Sequence, residues 1–378
     1  MAARKPKFIK GTYFDYPSLF LVLFLAMFGL MMIYSASSYV ANNTFGDGAY
    51  YLKRQFIFSI MGILGMLVLS RYRYQRFKKF LIFIMIAQFL LLILVMIIGT
   101  TTNGSTRWIY LGPIGFQPSE IAKLSLVIYM AAMCSEHPEL LKNLPGTGIL
   151  FSVPVVIIGL IAKENLSTAI ICAGIVVCIW IVATPKLIYI VPVGIVAIIA
   201  GVALIFGTGY RSARIDAWFH PETAENGYQT MQALYAIGSG GLFGKGLGGS
   251  IQKLDYVPEA QNDFIFSIIV EELGIFGAVC VIVLFALLIW RFMVIANNAK
   301  DLFGSLIVVG VMAHISLQVI LNIAVVTNTI PNTGITLPFI SYGGTSVVVL
   351  LAEMGLVLAV SRSIPLKMDS LGTLRMVE

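Results

Sequence analysis

The sequence predicts an all-α integral membrane protein with ten transmembrane helices and a large extracellular loop between helices 7 and 8. Three observations carry this reading. Of 378 residues, 58% are hydrophobic and 11% charged, against roughly 25% charged in an ordinary soluble domain. Mean hydropathy is +0.92. Apolar runs recur along the chain, each close to the ~20 residues a helix needs to cross a bilayer. So few charges cannot cover a soluble fold of this size, and a β-barrel would show short alternating segments. Backbone in lipid must satisfy its own hydrogen bonds, so apolar helices are the natural form. Disordered, collagen-like and disulfide-scaffold classes are excluded. The whole chain, 1–378, reads as a single polytopic membrane domain.

Helix 1, near 17–37, follows a basic start holding Arg4, Lys5, Lys7 and Lys10. Its apolar run reaches Tyr34 without a small-residue cleavage pattern, so it reads as a retained helix. Helix 2, near 54–70, begins at Arg54. Helix 3, near 79–99, follows a loop with Arg71, Arg73, Arg76, Lys78 and Lys79. Helices 4 to 7 fall near 119–135, 147–162, 167–184 and 186–207. Segment 208–262 has no spanning pattern, yet Trp218, Phe219, Tyr228 and Tyr235 argue against plain disorder, and loops this long are usually functional or disordered. Helices 8, 9 and 10 fall near 263–290, 302–326 and 344–362. Cys134, Cys172, Cys178 and Cys280 lie in or beside apolar runs with no CxxC pair, and read as free thiols.

Orientation follows from the basic residues. Sixteen of the 25 Lys and Arg fall on the side of the termini, including both clusters above, Lys142, Arg291 and Lys300. Eight fall opposite, including Lys53, Arg54, Arg107 and Lys253. The excess places both termini in the cytoplasm and 208–262 outside. The net charge of +7 therefore reports topology rather than a nucleic-acid partner.

Ionisable residues within spans are costly and face a cavity or a partner. Helix 4 opens Gln117-Pro118-Ser119-Glu120-Ile121-Ala122-Lys123; Ser119 can cap it, and Glu120 and Lys123, three apart, share a face. Asp263 opens helix 8, where an acid favours the helix dipole. Glu271 lies about 12 Å deeper, about 80° around the axis, and suggests a polar cavity running into the membrane. Glu272 points elsewhere, toward another helix. Glu353 sits mid-span in helix 10 with no visible partner, and His314 reads as a satisfied core histidine. Gln318 and Asn322 can hydrogen-bond across helices. The run Gly238 to Gly249 fails the P-loop pattern, with Ser239 and Gly246 at the wrong places, and reads as a re-entrant turn or hinge, or as N–H groups offered to an anion. The outer loops bring in Arg107 and Trp108, and a shaped, uncharged segment, Pro331 to Gly344, that carries Ser341 and Gly343. Arg54, Arg107, Lys123, Glu120 and Asp263 thus lie at outer helix ends or one turn inside. Cations there suit phosphate and acids can move protons, which together suggest an anionic, lipid-borne substrate. No HExxH, GxSxG or Cys/His metal spacing appears.

These motifs resemble the shape, elongation, division and sporulation family, that of RodA, FtsW and SpoVE. The matching stretches are Gly104-Ser105-Thr106-Arg107-Trp108 with Gln117 to Lys123, Gly227-Tyr228-Gln229 with Ala236 to Gly241, Pro258 to Phe266 with Glu271 to Gly274, and Thr333 to Gly344. Departures are His220 before Pro221, Lys163 to Thr168, Asn328 and Glu353. The resemblance implies ten helices and peptidoglycan glycosyltransferase activity, polymerising lipid II at the outer face of the bacterial cytoplasmic membrane. It places the essential aspartate on Asp263, polar cavity residues on Glu120 and Lys123, and the outer-loop pair on Arg107 and Trp108. Ser341 and Gly343 are further substrate contacts, and Glu271 belongs to the cavity. The implied partner is a class B penicillin-binding transpeptidase.

The chemistry is an inverting displacement. A sugar hydroxyl loses its proton to Asp263 and attacks the anomeric carbon, while Arg54, Arg107 and Lys123 stabilise the departing diphosphate. Asp263 as orienter of the acceptor or as a metal ligand stays open. No cofactor is certain, and a divalent cation, Mg or Mn, is compatible. A lipid II flippase and a non-catalytic scaffold for a transpeptidase are the alternatives.

Overall fold

The computed structural model describes residues 13–102, 105–112, 114–185, 187–189, 191–192, 194–195, 209–224, 227–368 and 374–376. The basic N-terminus, most of the predicted seventh helix, and Asn103 with Gly104 lie outside the described residues.

Long helices dominate: α1 (Tyr16–Phe45), α2 (Tyr50–Leu69), α3 (Leu81–Ile98), α4 (Pro118–Glu136), α5 (Leu144–Glu164) and α6 (Leu166–Ala183). After the 208–262 segment come α9 (Ile265–Asn297), α10 (Leu302–Val326) and α11 (Thr345–Ser361). Among the described residues, seven helices are long and apolar enough to cross a membrane: α1, α2, α3, α5, α6, α9 and α10. This is an all-α membrane protein. The apolar α11 is shorter. The charges of α4 are explained by its place: Ala122, Leu126, Met130 and Cys134 are fully buried, so its polar turn faces protein rather than lipid. By contrast Ile82, Phe83, Leu90 and Ile97 of α3 are exposed, as a lipid-facing surface requires.

Two additions lie in segments read as loops. The loop before α4 is a three-stranded antiparallel sheet, β1 (Thr100–Thr102), β2 (Ser105–Leu111) and β3 (Ile114–Phe116), with Tyr110 opposite Gly115. Segment 208–262 contains α7 (Gly209–Phe219) and α8 (Tyr228–Gly240).

The glycine run has a specific structural use. α9 breaks at Gly274 (φ 70°, ψ −172°). An unbroken helix would bond the Ile275 and Phe276 N–H groups to the carbonyls of Glu271 and Glu272. Instead these N–H groups donate to Gly241 O (2.9 Å) and Leu242 O (3.1 Å). The stranded carbonyls accept from Lys245 N and Gly246 N, both at 2.9 Å. The run is therefore spliced into the broken helix and supplies the missing bonds, which buried backbone demands. Those two N–H groups are spent, so they are not offered to an anion. A Cβ on Gly244 would overlap the Glu272 carbonyl, and one on Gly274 the Leu242 carbonyl. Both glycines also have positive φ. Gly244→Ala and Gly274→Ala should each cost at least about 2 kcal/mol, read as a fall in the melting temperature of the detergent-purified protein.

Glu271 and Glu272 finish the splice. Glu271 accepts from Lys245 Nζ (2.7 Å) and Ile251 N (3.1 Å), and Glu272 from Lys253 Nζ (2.8 Å) and Ser35 of α1 (2.7 Å). Both glutamates are fully buried. Glu353, for which the sequence shows no partner, meets His314 at 2.7 Å, both fully buried, joining α11 to α10. Removing one member strands the other, whereas replacing both with apolar residues does not. Glu353→Leu or His314→Leu should cost about 3–5 kcal/mol, and the double variant clearly less than the sum, measured by thermal unfolding.

Candidate functional site

A cavity of about 630 Å³ opens where α2, α4, α6 and α10 meet the β1–β3 sheet and the 208–262 and 331–344 segments. Its volume is in the usual range for a ligand site. Of the residues expected from the sequence, Arg54, Arg107, Trp108, Glu120, Lys123, Asp263 and Gly343 line it.

Each is placed by local chemistry. Pro118 occupies the first turn of α4 and Gln117 the extended N-cap position, so Ser119 lies inside the helix rather than capping it. One turn on, Lys123 Nζ meets Glu120 Oε1 at 2.9 Å, with only 2% and 13% of their side chains exposed. Arg54 donates to Tyr50 Oη (2.7 Å) one turn back on α2. Arg107 and Trp108 come from β2, and a Cβ on Gly115 of the paired strand would press on the Tyr110 and Trp108 rings at 3.0 and 3.3 Å. Thr345 Oγ1 donates to Gly115 O (3.0 Å), tying this sheet to the start of α11.

Asp263 lies two residues before α9, half-buried in the cavity. Its backbone carbonyl accepts from Asn322 Nδ2 (2.7 Å), which also donates to Ile335 O (2.7 Å). One turn along α10, Gln318 donates to Thr336 O (2.9 Å). One helix face therefore pins both the aspartate and the 331–344 segment. Burial pushes the Asp263 carboxyl up to about 7; the charge of Glu259 adds to this, and its own backbone N–H and Arg214 oppose it. A helix N-terminus lowers a carboxylate's pKa, but here desolvation outweighs that effect.

Two expected residues lie elsewhere. Ser341 is buried and accepts from Leu337 N (2.8 Å), while its carbonyl accepts from Gln55 (3.3 Å), so it shapes the turn instead of facing the cavity. Gln55 Oε1 also accepts from Gly343 N and Gly344 N, presenting that turn to the cavity. Glu271 is enclosed by the glycine splice rather than lining a channel, because Lys245 and the 250–252 turn close over it. Reasoning from sequence passed over Arg214, Gln229 and Asn332, which also line the cavity. The first two sit on α7 and α8, short helices within a segment read only as a loop.

Residues 16–365 match the profile of the cell cycle protein family that comprises FtsW, RodA and SpoVE. The chain belongs to this family. Among FtsW/RodA/SpoVE relatives, it is 39% identical to stage V sporulation protein E of Bacillus subtilis, covering 93% of this chain and 98% of that protein. It is 38% identical to a probable peptidoglycan glycosyltransferase FtsW of Trichlorobacter lovleyi, over 96% of each. Its fold matches a chain of a peptidoglycan synthase complex studied for the coordination of polymerization and crosslinking, with a TM-score of 0.79, 26% identity and coverage of 92% and 98%. It also matches the rod shape determining protein RodA of Thermus thermophilus, with a TM-score of 0.69, 27% identity and coverage of 92% and 97%.

Proposed function

We propose that this FtsW/RodA/SpoVE protein is a peptidoglycan glycosyltransferase that polymerises lipid II at the outer face of the cytoplasmic membrane. The observation that carries the reading is the cavity in which Asp263, raised to about 7, stands with Arg54, Arg107 and Lys123. A carboxylate near neutrality suits a general base at working pH. It takes the proton of the acceptor sugar's 4-hydroxyl as the oxygen attacks the anomeric carbon of the donor. The α-linked diphosphate leaves from the opposite face, giving a β-linked product in one inversion. The three cations stabilise the charge that grows on the leaving group. Lys123 reaches the cavity with its charge balanced by Glu120, so it can shift toward an arriving phosphate oxygen without standing as an unpaired buried cation.

Among the described residues no group of three His, Cys, Asp or Glu gathers to hold a metal. Asp263 and Glu259 both line the cavity and feel each other's charge. Magnesium is commonly held by one or two carboxylates plus substrate phosphate, so, as an alternative to the base role of Asp263, these two residues would hold a divalent cation, which would supply charge neutralisation at the diphosphate. The reading takes ten spans with both termini in the cytoplasm, as the excess of basic residues on that side supports, so that the cavity opens outside, where the polymer forms. The partner is a class B penicillin-binding transpeptidase, in keeping with the relative found in a peptidoglycan synthase complex. Transfer of lipid across the bilayer draws no support from Glu271, closed within its own bonds, or from Glu353, fully buried against His314.

The test is purified protein in vesicles with labelled lipid II, with and without its transpeptidase. Glycan polymer is the expected product. Leaflet exchange of the label without polymer would sink the polymerase reading.

A further inference from the structure

Beside the main cavity lies a second, small pocket of about 70 Å³. Arg214, Gln229 and Asn332 line both, so they form the boundary between the two. The inner walls are Ala217, Trp218, Thr230 and Asn328. A reciprocal clasp builds the pocket. Trp218 Nε1 donates to Asn328 O (3.0 Å), and Asn328 Nδ2 donates to Trp218 O (3.3 Å). Asn328 makes this possible by adopting φ 54°, which asparagine tolerates better than most residues. Arg214 Nη1 donates to Asn332 O (3.1 Å), fixing the boundary.

The chemistry of the walls is selective. Among the described residues they offer side-chain amides, a buried threonine hydroxyl, an indole and an alanine methyl, and no carboxylate, with the Arg214 guanidinium at the boundary. A molecule of water claims about 30 Å³ of liquid, so the pocket admits a few heavy atoms and no sugar ring. The ring must stay in the main cavity and insert a substituent. A small planar group with one acceptor, one donor and a methyl matches these walls: the amides and hydroxyl meet its polar atoms, and Trp218 and Ala217 its methyl. Arg214 and Asp263 both line the main cavity, so the ring carrying that substituent shares that cavity with Asp263.

We propose that this side pocket receives the acetamido group of the N-acetylated amino sugar held beside Asp263, and so sets specificity for that sugar. This rests on the polymerase reading above. The readout is equilibrium binding to the full-length protein in nanodiscs, without turnover. Two fluorescent lipid-linked disaccharide diphosphates are compared, one natural and one with hydroxyls in place of both acetamido groups. Wild type should prefer the natural lipid by about 10- to 100-fold. The double variant Thr230→Val/Asn328→Gly, with glycine suited to the positive φ, should cut that preference below about threefold. Its unchanged affinity for the hydroxyl lipid would show that the fold is intact. An undiminished preference in the variant, or none in wild type, would overturn the proposal and leave the polymerase reading standing. Failure of wild type to bind either lipid would remove the polymerase reading itself.

Discussion

Asp263→Asn should lower polymer formation at least about 100-fold, yet should give a more stable protein above pH 7. The loss follows from removing the base of the single displacement. The gain follows from linkage. The folded carboxyl titrates near 7, above the ~3.9 of an unfolded aspartate. The folded state therefore binds the proton more tightly, and native stability falls as pH rises from about 4 to about 7. Asparagine does not ionise, so its advantage grows across that window to on the order of 2–4 kcal/mol and stays constant above it. Thermal unfolding of both proteins at pH 5 and pH 8 checks this; equal differences at the two values would refute the buried-acid account. The wild-type rate gives a second check. Its kcat/KM should fall about tenfold per pH unit below about 7, since only the ionised carboxylate accepts a proton.

The second large effect concerns Glu120 and Lys123. Lys123 is 2% exposed and meets Glu120 at 2.9 Å, so Glu120→Ala leaves a buried ammonium without its counter-charge. That should cost about 3–5 kcal/mol and reduce activity about 100-fold or more. Replacing both, as Glu120→Leu/Lys123→Met, should recover most of the stability because the apolar pair packs without stranded charge. It should recover none of the activity, because the diphosphate loses a cation. Melting temperature and polymerisation rate measured on the same samples separate the two roles. A double variant that regains both would show the pair to be purely architectural.

The spans were legible because hydropathy over twenty residues is a local property, and α1 to α3, α5, α6, α9 and α10 form where apolar runs predict them. The site was legible in part for a different reason: costly charges such as Lys123 and Asp263 in apolar surroundings call for an explanation from the sequence alone. What depends on distant parts of the chain was hidden. His314 and Glu353 are 39 residues apart and on different helices, and only packing of α10 on α11 joins them. Glu271 has the depth and direction of a cavity acid, but a loop some twenty residues earlier closes over it. The titration of Asp263 depended on whether helix dipole or burial prevailed, and only the cavity walls decide that. Arg214 and Gln229 were passed over because α7 and α8 lack the sustained apolar period of a span.

The break at Gly274 also separates two mechanical tasks. From Ile275 to Asn297, α9 runs about 34 Å at 1.5 Å per residue, enough to cross a hydrocarbon layer of about 30 Å unaided. The short piece before the break, with Asp263 at its head, is fastened to α10 and to the glycine splice. The splice bonds Ile275 and Phe276, the first residues of the long piece, as well as Glu271 and Glu272 before the break. Four backbone bonds across the break thus make a rigid bracket, and Asp263 stands at a fixed angle to the span that carries it.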